Sequence, residues 1–299
     1  MMTDILVIGS GPAGMAAGQY GARAGYSVTV IDPMGPGGQL LYIDEIENYP
    51  GEESLSGYVL SEKMERQCSA FGVSIEYMRA LSIRKEKDLF YTMTDEGEIV
   101  SRTVIVATGA VHRHLGVKGE EEYRGKGVSY CATCDGPFFK NRTVVVAGGG
   151  DTALTDALYL SKLCRSVIIV HRRSSFRAQK VLQDRVREKD NISLIMEENI
   201  SEIIGDGKEV KSVVLTSGRK VSTDGVFVFI GMVPSSEIVE GLAEMENGFI
   251  KVDRGGRTTL PGLFAAGDVT TTSFRQVVTA AADGARASHS ADEYIQSLK

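Results

Sequence analysis

Short unbroken runs of branched apolar residues punctuate the chain, and most of them end at glycine. Asp4-Ile5-Leu6-Val7-Ile8 is the first. Its length and composition predict a buried strand. The run Gly9-Ser10-Gly11-Pro12-Ala13-Gly14 follows, then an alanine-rich stretch from about Met15 to Ala24 with helical character. Ser27-Val28-Thr29-Val30-Ile31 reads as a second strand, closed by Asp32. Strand, glycine loop, helix and strand together make a β-α-β unit of dinucleotide-fold length. A flexible glycine-rich loop spans Gly35 to Leu40, and Glu52 to Phe71 has helical character. Residues 74–100 alternate polar and apolar around Asp-Glu-Gly turn signals, which predicts a small antiparallel insertion. Thr103-Val104-Ile105-Val106-Ala107 is another buried strand, closed by Thr108-Gly109.

The pattern then restarts. Thr143-Val144-Val145-Val146-Ala147 leads into Gly148-Gly149-Gly150-Asp151-Thr152-Ala153, a helix is expected from about Thr152 to Leu163, and Ser166 to Val170 is the next strand. Two copies of one supersecondary unit imply an α/β chain with two dinucleotide-binding domains. Later runs include Val226 to Ile230, Gly262-Leu263-Phe264-Ala265-Ala266 running into Gly267-Asp268, and Thr279 to Ala285, which starts a small-residue helix.

Composition narrows the setting. The 299 residues suffice for two ordinary domains, and 42% hydrophobic with 24% charged residues is typical of a soluble globular protein. A net charge of -6 disfavours nucleic acid or an anionic membrane as the main partner. No apolar run approaches the roughly 18 residues of a membrane span. The start, Met1-Met2-Thr3-Asp4, has no basic region or cleavage site, so a cytoplasmic, reducing location is expected. The four cysteines, at positions 68, 131, 134 and 164, form no structural disulfide framework.

A strand feeding G-x-G-x-x-G sets a helix N-terminus beside a pyrophosphate, and glycines let backbone N–H groups approach it. Gly9, Gly11 and Gly14 fit that pattern, with Pro12 at an early helical position and Asp32 placed to accept from a ribose. The second loop is the G-x-G-x-x-A variant built on Gly148, Gly150 and Ala153. Its following strand ends at His171-Arg172-Arg173, with Arg177 beyond, where an NAD site would offer a carboxylate. Guanidinium groups suit a 2′-phosphate, so NADPH is expected rather than NADH.

Cys131-Ala132-Thr133-Cys134 is the one close thiol pair. Zinc would need two further ligands, and Cys68 and Cys164 stand alone. A structural disulfide fits poorly with a reducing compartment, whereas a redox-active one fits two neighbouring nucleotide sites. Asp135 is a candidate acid or base for the thiols, or merely the cap of a turn.

The N-terminal Gly-Ser-Gly-Pro-Ala-Gly and late Gly267-Asp268 resemble the flavoprotein disulfide reductases, in which the first nucleotide is FAD. Cys131-Ala132-Thr133-Cys134-Asp135-Gly136, Gly37-Gly38-Gln39-Leu40, Glu47-Asn48-Tyr49-Pro50-Gly51, Ala107-Thr108-Gly109-Ala110, His171-Arg172-Arg173, Phe176-Arg177-Ala178 and Arg275-Gln276-Val277 together resemble the low-molecular-weight thioredoxin reductases, in order and over nearly the whole chain. That resemblance implies two Rossmann-like, three-layer ββα domains. A discontinuous FAD domain would comprise residues 1–113 and 241–299, with an NADPH domain at 114–240 carrying the thiols. It also implies a homodimer, a domain rotation with hinges near His114-Leu115 and Val239-Gly241, and thioredoxin or a thioredoxin-like protein as partner.

Carried over residue by residue, Cys134 would face the flavin as the charge-transfer thiolate, Cys131 would be the interchange thiol, and Asp135 the acid. Gly9, Gly11, Pro12, Ala13, Gly14, Asp32, Gly38, Gln39, Leu40, Asn48, Thr108, Gly109, Gly267, Asp268, Arg275, Gln276 and Val277 would serve FAD. Gly148, Gly150, Asp151, Thr152, His171, Arg172, Arg173 and Arg177 would serve NADPH. No metal is implied. Among rivals, an alkyl hydroperoxide reductase flavoprotein would show Cys-Pro-His-Cys and an extra N-terminal domain. A ferredoxin-linked thioredoxin reductase would lose Arg172 and Arg173. A ferredoxin- or flavodoxin-NADP reductase would lack the thiol pair, and a redox sensor would show no turnover.

Overall fold

The computed structural model describes residues 2–43 and 45–298. Met1, at the head of the segment read above for a targeting signal, lies outside the described residues. The chain divides into two compact units, Met1–Val111 with Val233–Lys299, and His112–Met232. The crossings fall at 111–112 and 232–233, against the expected 113–114 and 240–241. Residues 233–240 group with the first unit because the Ser235 N–H donates to the Gly109 carbonyl and Val239 is fully buried beside Leu6 and Leu263.

The first unit is built on β1 (Met2–Ile8), α1 (Pro12–Arg23), β2 (Val28–Ile31), α2 (Gly57–Ala70), β3 (Ser74–Glu76), β4 (Ala80–Glu86), β5 (Leu89–Thr94) and β6 (Gly97–Val106). Strands pair in the order β3-β2-β1-β6-β5-β4, and a late strand, Leu263–Ala265, joins β6 in parallel. β1, β2, β3 and β6 run parallel, while β4, β5 and the first half of β6 form an antiparallel layer. Both faces of the parallel sheet are buried, which is why its strands are apolar at every position. Ile5, Val7, Val28, Val30 and Ile105 pack against α1, α2 and the C-terminal helix Val277–Ser297. Their alternates Leu6, Ile8, Val104 and Val106 pack against Ile83, Phe90 and Ile99 of the antiparallel layer.

The second unit repeats this plan. Strands Thr143–Gly148, Ser166–His171, Ile192–Met196, Gly225–Phe229 and Val128–Ser129 form a parallel sheet. Val144, Val146, Val167 and Ile169 face the helices Asp151–Leu160 and Lys180–Arg187. Val145, Ala147 and Val170 face an antiparallel layer formed by Ile200–Gly205, Val210–Leu215 and Lys220–Ser222. Each unit is therefore a helix layer, a parallel sheet and an antiparallel sheet.

Several elements differ in extent from the sequence reading. α1 starts at Pro12, not Met15, because Gly11 takes the N-cap conformation. The helix expected to start at Thr279 starts at Val277 and runs to Ser297. The antiparallel layer at 200–222 was not anticipated from the pattern. Among the described residues no helix is long and apolar enough to cross a membrane.

Candidate active site

In the first unit the strand β1 ends in a turn that only glycine fits. Gly9 has φ +105°, and a Cβ there would lie 2.4 Å from the Ala107 carbonyl oxygen. A Cβ on Gly14 would lie 1.8 Å from the Gly9 carbonyl oxygen, so this glycine packs the helix on the strand. Gly11 is different: its Cβ would meet nothing within 4 Å. Gly11 caps α1 with Pro12 in the first turn, and no side chain caps the helix. An open position over an uncapped helix N-terminus has the geometry that suits a pyrophosphate.

Residues distant in sequence converge on this loop. Gly38 comes close enough that its Cβ would lie 3.2 Å from Gly11 Cα, and the Gly37 N–H donates to the Ser10 carbonyl at 2.9 Å. Gly267 lies against Ala13. Asn48 Nδ2 donates to Gln276 Oε1 at 3.1 Å, and Gln276 caps the C-terminal helix, of which Val277 is the first residue, in a reciprocal pair with Thr279. The Asp268 carboxylate meets no donor among the described residues, and burial pushes its pKa up to about 6 despite the opposing pull of Arg275. Arg275 donates to the Thr270 carbonyl at 3.2 Å and lies over the Phe249 ring at 4.5 Å. A carboxylate held this way awaits donors, as hydroxyls of a bound nucleotide would supply.

Other predicted positions have structural work. Asp32 accepts from the Ser10 and Met34 N–H groups, both at 2.9 Å, so it braces the loop. Leu40 is buried in the core. Thr108 donates to the Ser235 carbonyl, and Gly109 has open space above it. Gln39 is exposed in the 3-10 turn Gly38–Tyr42.

The second unit holds a matching cradle. A Cβ on Gly148 would lie 2.4 Å from the Phe229 carbonyl oxygen, whereas Gly150 has open space and caps the helix Asp151–Leu160 without side-chain help. Thr152 is exposed in that helix's first turn. Arg172, Arg173 and Arg177 are exposed, and among the described residues none is paired with a carboxylate. His171 is not part of that cationic face. Its ring is buried against Gly149, its Nε2 lies 3.1 Å from the Ser175 carbonyl, and burial lowers its pKa. Asp151 accepts from Gln179 through both oxygens.

Cys131 and Cys134 form a disulfide with their Cα atoms 5.3 Å apart. Cys131 caps the helical turn Ala132–Asp135, and its sulfur accepts the Cys134 N–H at 3.2 Å. The Thr133 hydroxyl lies 3.5 Å from the same sulfur. Asp135 accepts from the Ser129 hydroxyl at 2.5 Å, and that hydroxyl also accepts the Cys131 N–H at 3.1 Å. Ser129 was missed in the sequence because a two-residue strand carries no periodic signal. Its position is set by pairing with Phe227, far along the chain. Cys68 and Cys164 are buried free thiols, each pushed up to about 11 by burial. Among the described residues no group of His, Cys, Asp or Glu is placed to hold a metal ion.

Two cradles and a disulfide on two ββα units define a nucleotide-dependent disulfide oxidoreductase class. The family model described as pyridine nucleotide-disulphide oxidoreductase matches residues 3–284, and the chain belongs to that family. It is 43% identical to the thioredoxin reductase of Treponema pallidum, over 99% of this chain and 98% of that one. It is 44% identical to the thioredoxin reductase of Listeria innocua, over 99% and 95%. Among solved structures, the thioredoxin reductase from Streptococcus pyogenes is similar with a TM-score of 0.93, at 41% identity and covering 99% of each chain.

Proposed function

We propose that the chain is an NADPH-dependent thioredoxin-disulfide reductase that uses FAD. The observation carrying this reading is the Cys131–Cys134 disulfide in the same unit as an open glycine cradle and three exposed arginines. The similarity to proteins named thioredoxin reductase supports thioredoxin, or a protein like it, as the partner. FAD would be held by the Gly11 cradle with Gly38, Gln39, Asn48, Asp268, Arg275 and Gln276. NADPH would be held by Gly150 and Thr152, with Arg172, Arg173 and Arg177 toward its 2′-phosphate. Bound FAD supplies two-electron redox chemistry suited to linking a nicotinamide with a disulfide.

The chain's own residues account for the exchange with the partner. In the reduced pair, the Cys134 N–H and the Thr133 hydroxyl near the Cys131 sulfur favour its thiolate. That thiolate attacks a partner disulfide sulfur, forming a mixed disulfide and releasing one partner thiolate. Cys134 then attacks the Cys131 sulfur, which re-forms the Cys131–Cys134 bond and releases the second partner thiolate. The pair loses two electrons and the partner gains two. Asp135, held by Ser129, is the group placed to move protons in these steps. A homodimer and a cytoplasmic setting belong to the same reading.

Anaerobic titration of the yellow protein with NADPH, followed by oxidised thioredoxin and insulin, tests it. Flavin absorbance should bleach with NADPH and return with thioredoxin. Cys131→Ser should keep the bleaching and lose turnover. No bleaching, or turnover that survives Cys131→Ser, overturns the proposal.

A further inference from the structure

The three arginines sit on a loop attached to the rest of its unit at several points. Residues 172–179 leave the strand Ser166–His171 and return to the helix Lys180–Arg187. Near its start, the His171 ring packs against Gly149 and its Nε2 meets the Ser175 carbonyl. The Phe176 ring is buried against His171, with centroids 5.3 Å apart. The Arg177 N–H donates to the Gly149 carbonyl at 2.9 Å, so the loop is bonded to the nucleotide cradle itself. At its end, the Gln179 N–H donates to Asp151 Oδ1 at 2.7 Å, and Gln179 Nε2 donates to Asp151 Oδ2 at 3.2 Å.

Asp151 is the first residue of the helix that begins at the cradle. A free carboxylate there would repel a phosphate arriving at the same helix end, although it suits the helix dipole. Here both carboxylate oxygens accept from Gln179, two residues beyond Arg177. Arg177 is thus pinned on both sides: by its own N–H to Gly149 and through Gln179 to Asp151. Holding a long side chain's backbone at two points reduces the freedom lost when its guanidinium engages a phosphate.

We propose that Asp151 and Gln179 form a clamp that fixes the arginine loop against the Gly148–Gly150 cradle, and that this clamp sets the preference for a 2′-phosphorylated nucleotide. Asp151 is then a positioning residue and not a nucleotide ligand. The inference rests on the NADPH reading above and deepens it.

The test uses two probes, 2′,5′-ADP and 5′-AMP, titrated calorimetrically into the FAD-loaded protein. Wild type should bind 2′,5′-ADP more tightly. Gln179→Ala should weaken 2′,5′-ADP binding about five- to tenfold, the loss of roughly one positioning hydrogen bond. It should change 5′-AMP binding less than about twofold, since that ligand lacks the group the arginines read. The exchanged pair Asp151→Asn with Gln179→Glu keeps an acceptor for the residue 179 N–H and reverses the side-chain donor. It should restore most of the discrimination.

Loss of affinity for both probes alike, or none for either, in Gln179→Ala overturns the clamp. So does failure of the exchanged pair to recover a discrimination that Gln179→Ala lost. If wild type binds both probes equally, the NADPH reading itself falls, and the clamp with it. If Arg172→Ala with Arg173→Ala removes the discrimination while Gln179→Ala does not, the NADPH reading stands and only the clamp is lost.

Discussion

Ser129 shows how one hydroxyl organises the thiol site. It donates to Asp135 and accepts from the Cys131 N–H, joining the candidate acid to the backbone of the proposed nucleophile. It is itself buried, so its removal leaves those groups without a ready replacement from solvent. Ser129→Ala should slow exchange between the reduced pair and oxidised thioredoxin about tenfold, corresponding to about 1.4 kcal/mol in the barrier. Stopped-flow mixing of the pre-reduced protein with thioredoxin measures this, and an unchanged rate removes Ser129 from the mechanism. The glycine turns and the cysteine pair were legible because both follow from residue type and short spacing. Ser129 and the Asp151–Gln179 contact were not, because each depends on pairing between segments that only the fold brings together.

At the scale of elements, the apolar strands announced themselves, since burial on both faces removes polar residues from every position. The antiparallel layer at 200–222 did not, because its strands are short and mix apolar and polar positions around glycine turns. The helix Asp151–Leu160 carries a further anomaly in Asp156, whose pKa burial alone raises to about 6. An unfolded aspartate ionises near 3.9. Between those values the folded state holds a proton that the unfolded state has lost, so stability falls as pH rises from about 4 to about 6. Asp268 contributes in the same direction. Asp156→Asn should flatten this dependence by on the order of 2 kcal/mol. Urea unfolding of both proteins at pH 4.5 and pH 7 decides it; parallel losses in the two would refute the assignment. In the C-terminal helix, Ile295 is fully buried among the first unit's core residues. Ile295→Ala should cost about 3 kcal/mol, read as a lower urea midpoint with an unchanged slope.

For the molecule as a whole, the proposed homodimer predicts a light-scattering mass about twice the 32.2 kDa of one chain. A mass of one chain at micromolar concentration would remove dimerisation from the reading. The division of the chain has a consequence for synthesis. The first unit needs Val233–Lys299, whose Phe264, Ala287 and Ile295 complete the core begun by Ile5 and Val7. The second unit lies wholly within His112–Met232. On the ribosome, therefore, the unit that starts first finishes last. Its opening strands must wait, with the part of one apolar face that the C-terminal helix covers left open, while the second unit emerges. A chaperone site on that waiting face is the expectation this order of segments sets, until Val277–Ser297 is available to cover it.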